Sequence, residues 1–317
     1  MRMKNIYPIV VIIAAVVLVP SLFSFQPAEL NAEEQLGKEL FFDVILSQDH
    51  SISCASCHKP EFAFADNVAI SEGLFGQETA RNTPSTMNLR AYESFAWDGR
   101  NKTLERQSLA PLKDFAEMGM PVDEAVARLI SNEHYNASFR FVYSSIPSQE
   151  TLGRALAAYQ RTLFSLSAYD RYVAGSENAI SESAKRGLEL FAGKAQCVNC
   201  HMGDDFTSGG FENIGTYNGK EYDDKGRGNY TKKEEDNGKF KVPSLRSVAM
   251  TAPYMHDGSI KTLREVIEYY NTPRKFRADA LGRGELIPDA LHLTSEEVSD
   301  LEAFLISLSG EDIVKHK

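Results

Sequence analysis

The sequence predicts an all-α chain made of two related modules, and three observations carry that prediction. One short pattern, Cys-x-x-Cys-His, occurs twice and uses all four cysteines: Cys54, Cys57 and His58 in "SCASCHKP", then Cys197, Cys200 and His201 in "QCVNCH". A related stretch precedes each copy, "GKELFFD" from Gly37 and "GLELFAG" from Gly187. No segment alternates apolar and polar residues over enough length to build a sheet, whereas helical spacing recurs. The two modules are offset by 150 positions at the glycines and by 143 at the first cysteines. The first therefore carries an insertion within "VILSQDHSIS", which reads as a loop.

Taken in order, the chain opens with "MRMKNIYPIVVIIAAVVLVPSLFSF". A basic start (Arg2, Lys4) followed by an apolar run from Ile9 to Val19 is the pattern of an export signal. The run is short for a membrane span of about 20 residues, and the best cleavage candidate is "LNA", ending at Ala32. Residues 1–32 are thus expected to be a signal peptide or a retained N-terminal anchor, and the rest to lie in the periplasm. The first module is expected over 33–172 and the second over 173–317, divided in the small and polar stretch "YVAGSENAIS". Each module closes with a helical pattern, 148–166 with Leu152, Leu156, Tyr159 and Leu163 on one face, and 294–310 with a Thr cap and Gly310 as its stop. The run "GKEYDDKGRGNYTKKEEDNGK", 219–239, has almost no apolar content and reads as a solvated loop, with a docking surface as its other use.

A formal net charge of −10 excludes the basic face that nucleic acid requires and suits a basic protein partner. In an exported chain four cysteines ordinarily mean two disulfides, but two three-residue steps, each followed by His, fit that badly. Zinc ribbons set their cysteine pairs about 15–20 residues apart and need no trailing histidines. Cys-x-x-Cys-His is the attachment pattern of c-type haem: the thiols add to two vinyl groups on one porphyrin edge, and the next residue turns its imidazole under the ring. Two cytochrome c-like domains, each with one covalently bound c-type haem, follow. Such a chain is either a passive electron carrier, with both sixth iron positions filled, or an enzyme that leaves one available.

Longer motifs choose between these. "RNTPSTMN" (81–88), "FAWDGRNKTLERQSLAPL" (95–112), "EMGM" (117–120), "GKFKVPSLRSV" (238–248) and "TAPYMHDGSIKTLREVIEYY" (251–270) closely resemble the bacterial dihaem cytochrome c peroxidase family, including its MauG branch. The resemblance covers essentially everything after residue 34. It implies reduction of hydrogen peroxide to water at the haem of His58, with electrons from a small cytochrome c or cupredoxin entering at the haem of His201. It implies further that Glu117 is the distal acid, that Gln107 and Pro111 line the same pocket, and that Trp97 sits between the haems. A calcium ion held by the Asn82 side chain and the Thr251 and Pro253 carbonyls is implied as well, oxygen donors being what that hard cation takes. A homodimer is familiar in the family.

The chain departs from the peroxidase branch at two positions. The histidine that blocks the first iron there is matched by Leu74, so this haem is expected to be open at rest. The second haem's usual Met ligand is matched by Tyr270, with Tyr269 as fallback and Met255 or Met202 as rivals. Both departures pull toward the MauG branch, whose members oxidise a partner protein. The Trp that branch uses two residues before the second haem's first cysteine is, however, Ala195.

Overall fold

The computed structural model describes residues 29–276 and 278–310. The leader read in the sequence falls almost entirely on residues 1–28, outside the described residues. Among the described residues no helix is long and apolar enough to cross a membrane.

Helices dominate, as expected. The first half holds α1 (Ala32–Phe42), α2 (Cys54–Cys57), α3 (Leu104–Lys113), α4 (Val122–Ser131), α5 (Glu133–Tyr143), α6 (Gln149–Thr162) and α7 (Ala168–Val173). The second holds α8 (Glu182–Ala192), α9 (Arg227–Thr231), α10 (Leu263–Asn271), α11 (Pro273–Phe276) and α12 (Ser295–Ser307). The stretch taken as the module boundary lies between α7 and α8. Sheet structure among the described residues is one antiparallel pair of two-residue strands, β1 (Phe211–Glu212) and β2 (Phe240–Lys241).

Local chemistry starts the helices where the sequence suggests. Asn31 accepts the Glu33 and Glu34 N–H groups at 2.9 and 3.0 Å, and Glu34 reaches back to the Asn31 N–H at 2.8 Å, closing a capping box on α1. Ser148 with Thr151 and Thr294 with Glu297 do the same for α6 and α12. The closing helix read as 148–166 stops at Thr162. Beyond it Leu163 is extended, and its carbonyl accepts the Asn88 N–H at 2.9 Å, a tertiary partner that the periodicity could not reveal.

The repeat is built twice in three dimensions. Helix α1 packs along α6, and α8 along α12. In each pair a glycine permits the contact: a Cβ on Gly37 would collide with the Ala155 carbonyl, and one on Gly187 with the Asp300 carbonyl. Around each crossing three rings meet edge to face. Phe41, Phe64 and Tyr159 have centroids 5.3–6.5 Å apart, and Phe191, Phe206 and Phe304 have centroids 5.1–6.0 Å apart. Such pairs contribute about 0.5–1.5 kcal/mol each beyond their buried area.

The polar run 219–239 is more than a solvated loop. Asp224 accepts Arg81 Nε and Nη2 at 2.7 and 2.9 Å, while Arg81 Nη1 reaches the buried Asp98 at 2.9 Å. Arg227 lies 4.0 Å over the Phe211 ring and donates to the Asp98 carbonyl at 3.3 Å. The run thus straps the second half of the chain to the first, through charges whose partners stand 143 positions away.

Candidate active site

One continuous cavity of about 1380 Å³ runs through the interior, lined by both Cys-x-x-Cys-His copies, Trp97, Gln107, Pro111, Glu117, Tyr270 and the three calcium candidates, but not by the alternative ligands Tyr269 and Met202. A single drug-sized ligand occupies a pocket of roughly 300–1000 Å³, so there is space for more.

Both Cys-x-x-Cys-His copies face this cavity. In the first, α2 is one turn closed by the His58 N–H on the Cys54 carbonyl at 2.9 Å. In the second a 3₁₀ turn over Cys197–Asn199 is closed by the His201 N–H on the Cys197 carbonyl, again at 2.9 Å. His58 Nδ1 lies 3.0 Å from the Phe64 carbonyl and His201 Nδ1 lies 2.9 Å from the Phe206 carbonyl. A carbonyl only accepts, so each Nδ1 carries the proton and each Nε2 keeps the lone pair that a metal needs. Burial lowers the pKa of both imidazoles, which keeps them neutral and ready to ligate.

The cysteines fit covalent attachment equally well. All four are free thiols. Burial pushes Cys54 and Cys197 up to about 12 and Cys57 up to about 11, and raises Cys200. These groups are protonated at neutral pH, and as thioethers they would have no proton to lose and no burial penalty for charge. The residues present therefore fit two c-type haems.

Beyond the shared frame the walls differ. Helix α3 carries Gln107 and Pro111 along the cavity, and the turn that follows carries Glu117. The Glu117 N–H bonds the Asp114 carbonyl at 3.0 Å, and its own carbonyl accepts the Leu74 N–H at 2.9 Å. Burial raises the Glu117 carboxyl to about 7, the nearby Asp114 charge adding to this and Arg100 opposing it. The charge of Glu117 also raises Cys54 and Cys57, and all three line the same cavity. The Gln107 carbonyl is held by Asn101 Nδ2 at 2.8 Å, which leaves its amide N–H groups as donors. Leu74 is fully buried, lies off the cavity and would meet any side chain at Gly119, so it forms the support behind Glu117.

Across the second copy stands Tyr270, on α10. Burial pushes its hydroxyl up, with Tyr269, Cys197 and Cys200 adding to the shift. Tyr269 is turned away, its hydroxyl on the Ile214 carbonyl at 2.7 Å and its ring off the cavity. Of the two methionines, Met202 is half-exposed and off the cavity, while Met255 lines it.

Trp97 and the calcium candidates occupy the seam between the halves. The Trp97 indole donates to the Asn82 carbonyl at 2.8 Å, and the Trp97 carbonyl accepts the Lys241 N–H at 2.8 Å. Asn82 Nδ2 donates to the Val68 and Ala69 carbonyls, both at 3.1 Å, and thereby turns its Oδ1 the other way. Thr251 and Pro253 line the same cavity. Sequence reasoning missed Arg100 and Asp114, which set the charge around Glu117. Their only signal was proximity to the recognised motifs.

Two Cys-x-x-Cys-His turns on one interior cavity, each with a metal-ready imidazole, define the class: a dihaem cytochrome. The chain belongs to the di-haem cytochrome c peroxidase family, whose model matches residues 31–178. It is 39% identical over 283 residues to the methylamine utilization protein MauG of Methylophilus methylotrophus, covering 87% of this chain and 82% of that one. It is 33% identical over 285 residues to the cytochrome c551 peroxidase of Nitrosomonas europaea, covering 87% and 80%. Among solved structures, a MauG-like protein associated with microbial copper homeostasis superposes with a TM-score of 0.81 at 34% identity, over 90% of this chain and 92% of that chain.

Proposed function

We propose that this chain is an exported dihaem cytochrome c peroxidase that reduces hydrogen peroxide with two protons and two electrons to two waters. Its haems are held through Cys54, Cys57 and His58 and through Cys197, Cys200 and His201. When bound, the haem at His58 supplies the iron centre on which the O–O bond is broken. The observation that carries this reading is Glu117: a carboxyl raised to about 7, on the cavity that the first copy lines. At neutral pH such a group takes a proton from one peroxide oxygen and returns it to the other with equal ease. The Gln107 amide N–H groups orient the oxygens, because Asn101 fixes their carbonyl end.

Electrons come from a small cytochrome c or cupredoxin at the second module, and the net charge of −10 favours a basic partner. Trp97 stands at the seam they cross, and Tyr270 is the candidate sixth ligand of the second iron. The Asn82 side chain, with the Thr251 and Pro253 carbonyls, is assigned to calcium, for which the outward Oδ1 of Asn82 is the supporting feature.

A second reading, a MauG-like oxidase acting on a partner protein, is favoured by Tyr270 on the cavity and by Leu74 in place of a blocking histidine. Ala195 opposes it, being buried where that branch has a Trp. The test is peroxide turnover of the holoprotein with a reduced small cytochrome c as sole electron source. Glu117→Gln is expected to lower it at least about tenfold, as loss of a general acid–base group does, with both haem spectra near normal. Unchanged turnover removes Glu117 from the mechanism, and wild-type turnover that begins only when a protein substrate is added transfers the assignment to the second reading.

A further inference from the structure

Lys241 is a partly buried cation with no carboxylate paired to it among the described residues. It lies on β2, in the second half of the chain, yet its Nζ stands 3.9 Å over the Tyr92 ring and 5.7 Å from the Phe95 ring centre. Phe95 packs with Leu104 and Ala157, with Tyr92 against them, in a core cluster of the first half. The second half thus delivers an ammonium onto an aromatic face of the first. Its other contact is the Ser94 carbonyl at 3.5 Å, and among the described residues no carboxylate lies within ion-pair distance of it. The acid whose charge acts on it, Asp98, is already shared by Arg81 and Arg100 at 2.9 and 3.0 Å. Burial consequently lowers the ammonium to about 8.

A cation–π contact offsets only part of the cost of burying an ammonium, about 0.5–2 kcal/mol, and a buried charge ordinarily has an opposite charge beside it. Lys241, Tyr92 and Phe95 all line the cavity. The missing partner therefore belongs to whatever fills that cavity, and it carries negative charge. Haem brings two propionate carboxylates.

We propose that the Lys241 ammonium is the docking point for a propionate carboxylate of the haem held by His58. The assignment rests on the dihaem reading and not on the role of Glu117 in turnover, because its test uses no peroxide. A positive charge beside the propionate disfavours the ferric state and raises the haem's reduction potential. In Lys241→Met holoprotein the midpoint of the first haem is expected to move to more negative potential, that of the second to stay in place, and Lys241→Arg to restore the wild-type value. Resonance Raman spectra of the ferric proteins provide a second readout: the propionate-bending band should shift in Lys241→Met while the spin-state marker bands do not.

Unmoved midpoints with an unmoved propionate band in fully haem-loaded Lys241→Met would overturn the assignment, and a shift confined to the second haem would overturn its placement. If Lys241→Met loads no haem, the Raman comparison of wild type with Lys241→Arg decides. An unaltered propionate band there, despite the change from ammonium to guanidinium, excludes the contact. A preparation of wild type that lacks haem altogether would instead remove the dihaem reading itself.

Discussion

The two Cys-x-x-Cys-His modules share a frame and differ on the wall that faces it. In both, a glycine brings the leading helix against the closing helix, three rings fill the crossing, and a Phe carbonyl about 3 Å from Nδ1 fixes the histidine. That frame serves to hold a haem and says nothing of its chemistry. The first wall carries a carboxyl raised to about 7 and a fixed amide; the second carries a partly buried tyrosine. The frames repeat, and the residues that differ lie on the wall that faces them.

If the frames are equivalent, they should break equally. Alanine at Gly37 or Gly187 gains up to about 1 kcal/mol in helix propensity, but its Cβ meets a backbone carbonyl that cannot rotate away. Overpacking of that kind costs about 3 kcal/mol, so the collision wins. Gly37→Ala and Gly187→Ala are each expected to lower holoprotein stability by about 2 kcal/mol net, read as a lower denaturation midpoint. A large loss in one and none in the other would show that only one helix crossing is under this constraint.

A smaller effect tests the one chemical difference inside the frames. Tyr159 occupies in the first the place that Phe304 holds in the second, and its fully buried hydroxyl has no hydrogen-bond partner among the described residues. An orphaned buried hydroxyl costs about 1–3 kcal/mol. Tyr159→Phe should accordingly stabilise the protein by about 1 kcal/mol in the same unfolding measurement. A destabilised variant would mean that the hydroxyl finds a partner in the haem-loaded protein.

What was legible in the sequence follows this division. The frames were readable because their parts are local: a cap, a five-residue haem pattern, a glycine one turn before a phenylalanine. Glu117, Gln107 and Trp97 were reached through motif resemblance, since nothing intrinsic separates Glu117 from any acid in a polar turn. The run 219–239 was misjudged because its polarity describes its composition and not its partners, Arg81 and Asp98, which lie far away in sequence. Lys241 was passed over for a related reason: a lysine reads as exposed until the fold places it over Tyr92. Tyr270 was preferred to Tyr269 by its match to the family's ligand position, whereas its place on the cavity, with the Tyr269 hydroxyl on the Ile214 carbonyl, could be seen only in the fold.

The smallest effect is the most specific to the facing wall. Glu117 has its carboxyl raised from 4.5 to about 7, chiefly by burial and secondarily by Asp114. The folded value lies above the unfolded one, so this group's contribution to stability is fully present below about pH 4.5 and is lost as the pH rises through about 7. The same titration should appear in catalysis as a bend near pH 7 in kcat/KM for peroxide, because that ratio reports groups of the free enzyme. Asp114 lies at the exposed end of the turn, where its Oδ1 accepts the Ala116 N–H at 3.0 Å, so an amide there keeps that bond while removing the charge. Asp114→Asn should move the bend toward acid by about half a unit, equivalent to about 0.7 kcal/mol, and Glu117→Gln should abolish it. A bend that survives Glu117→Gln belongs to another group, and the contrast between the two walls would then need a different acid.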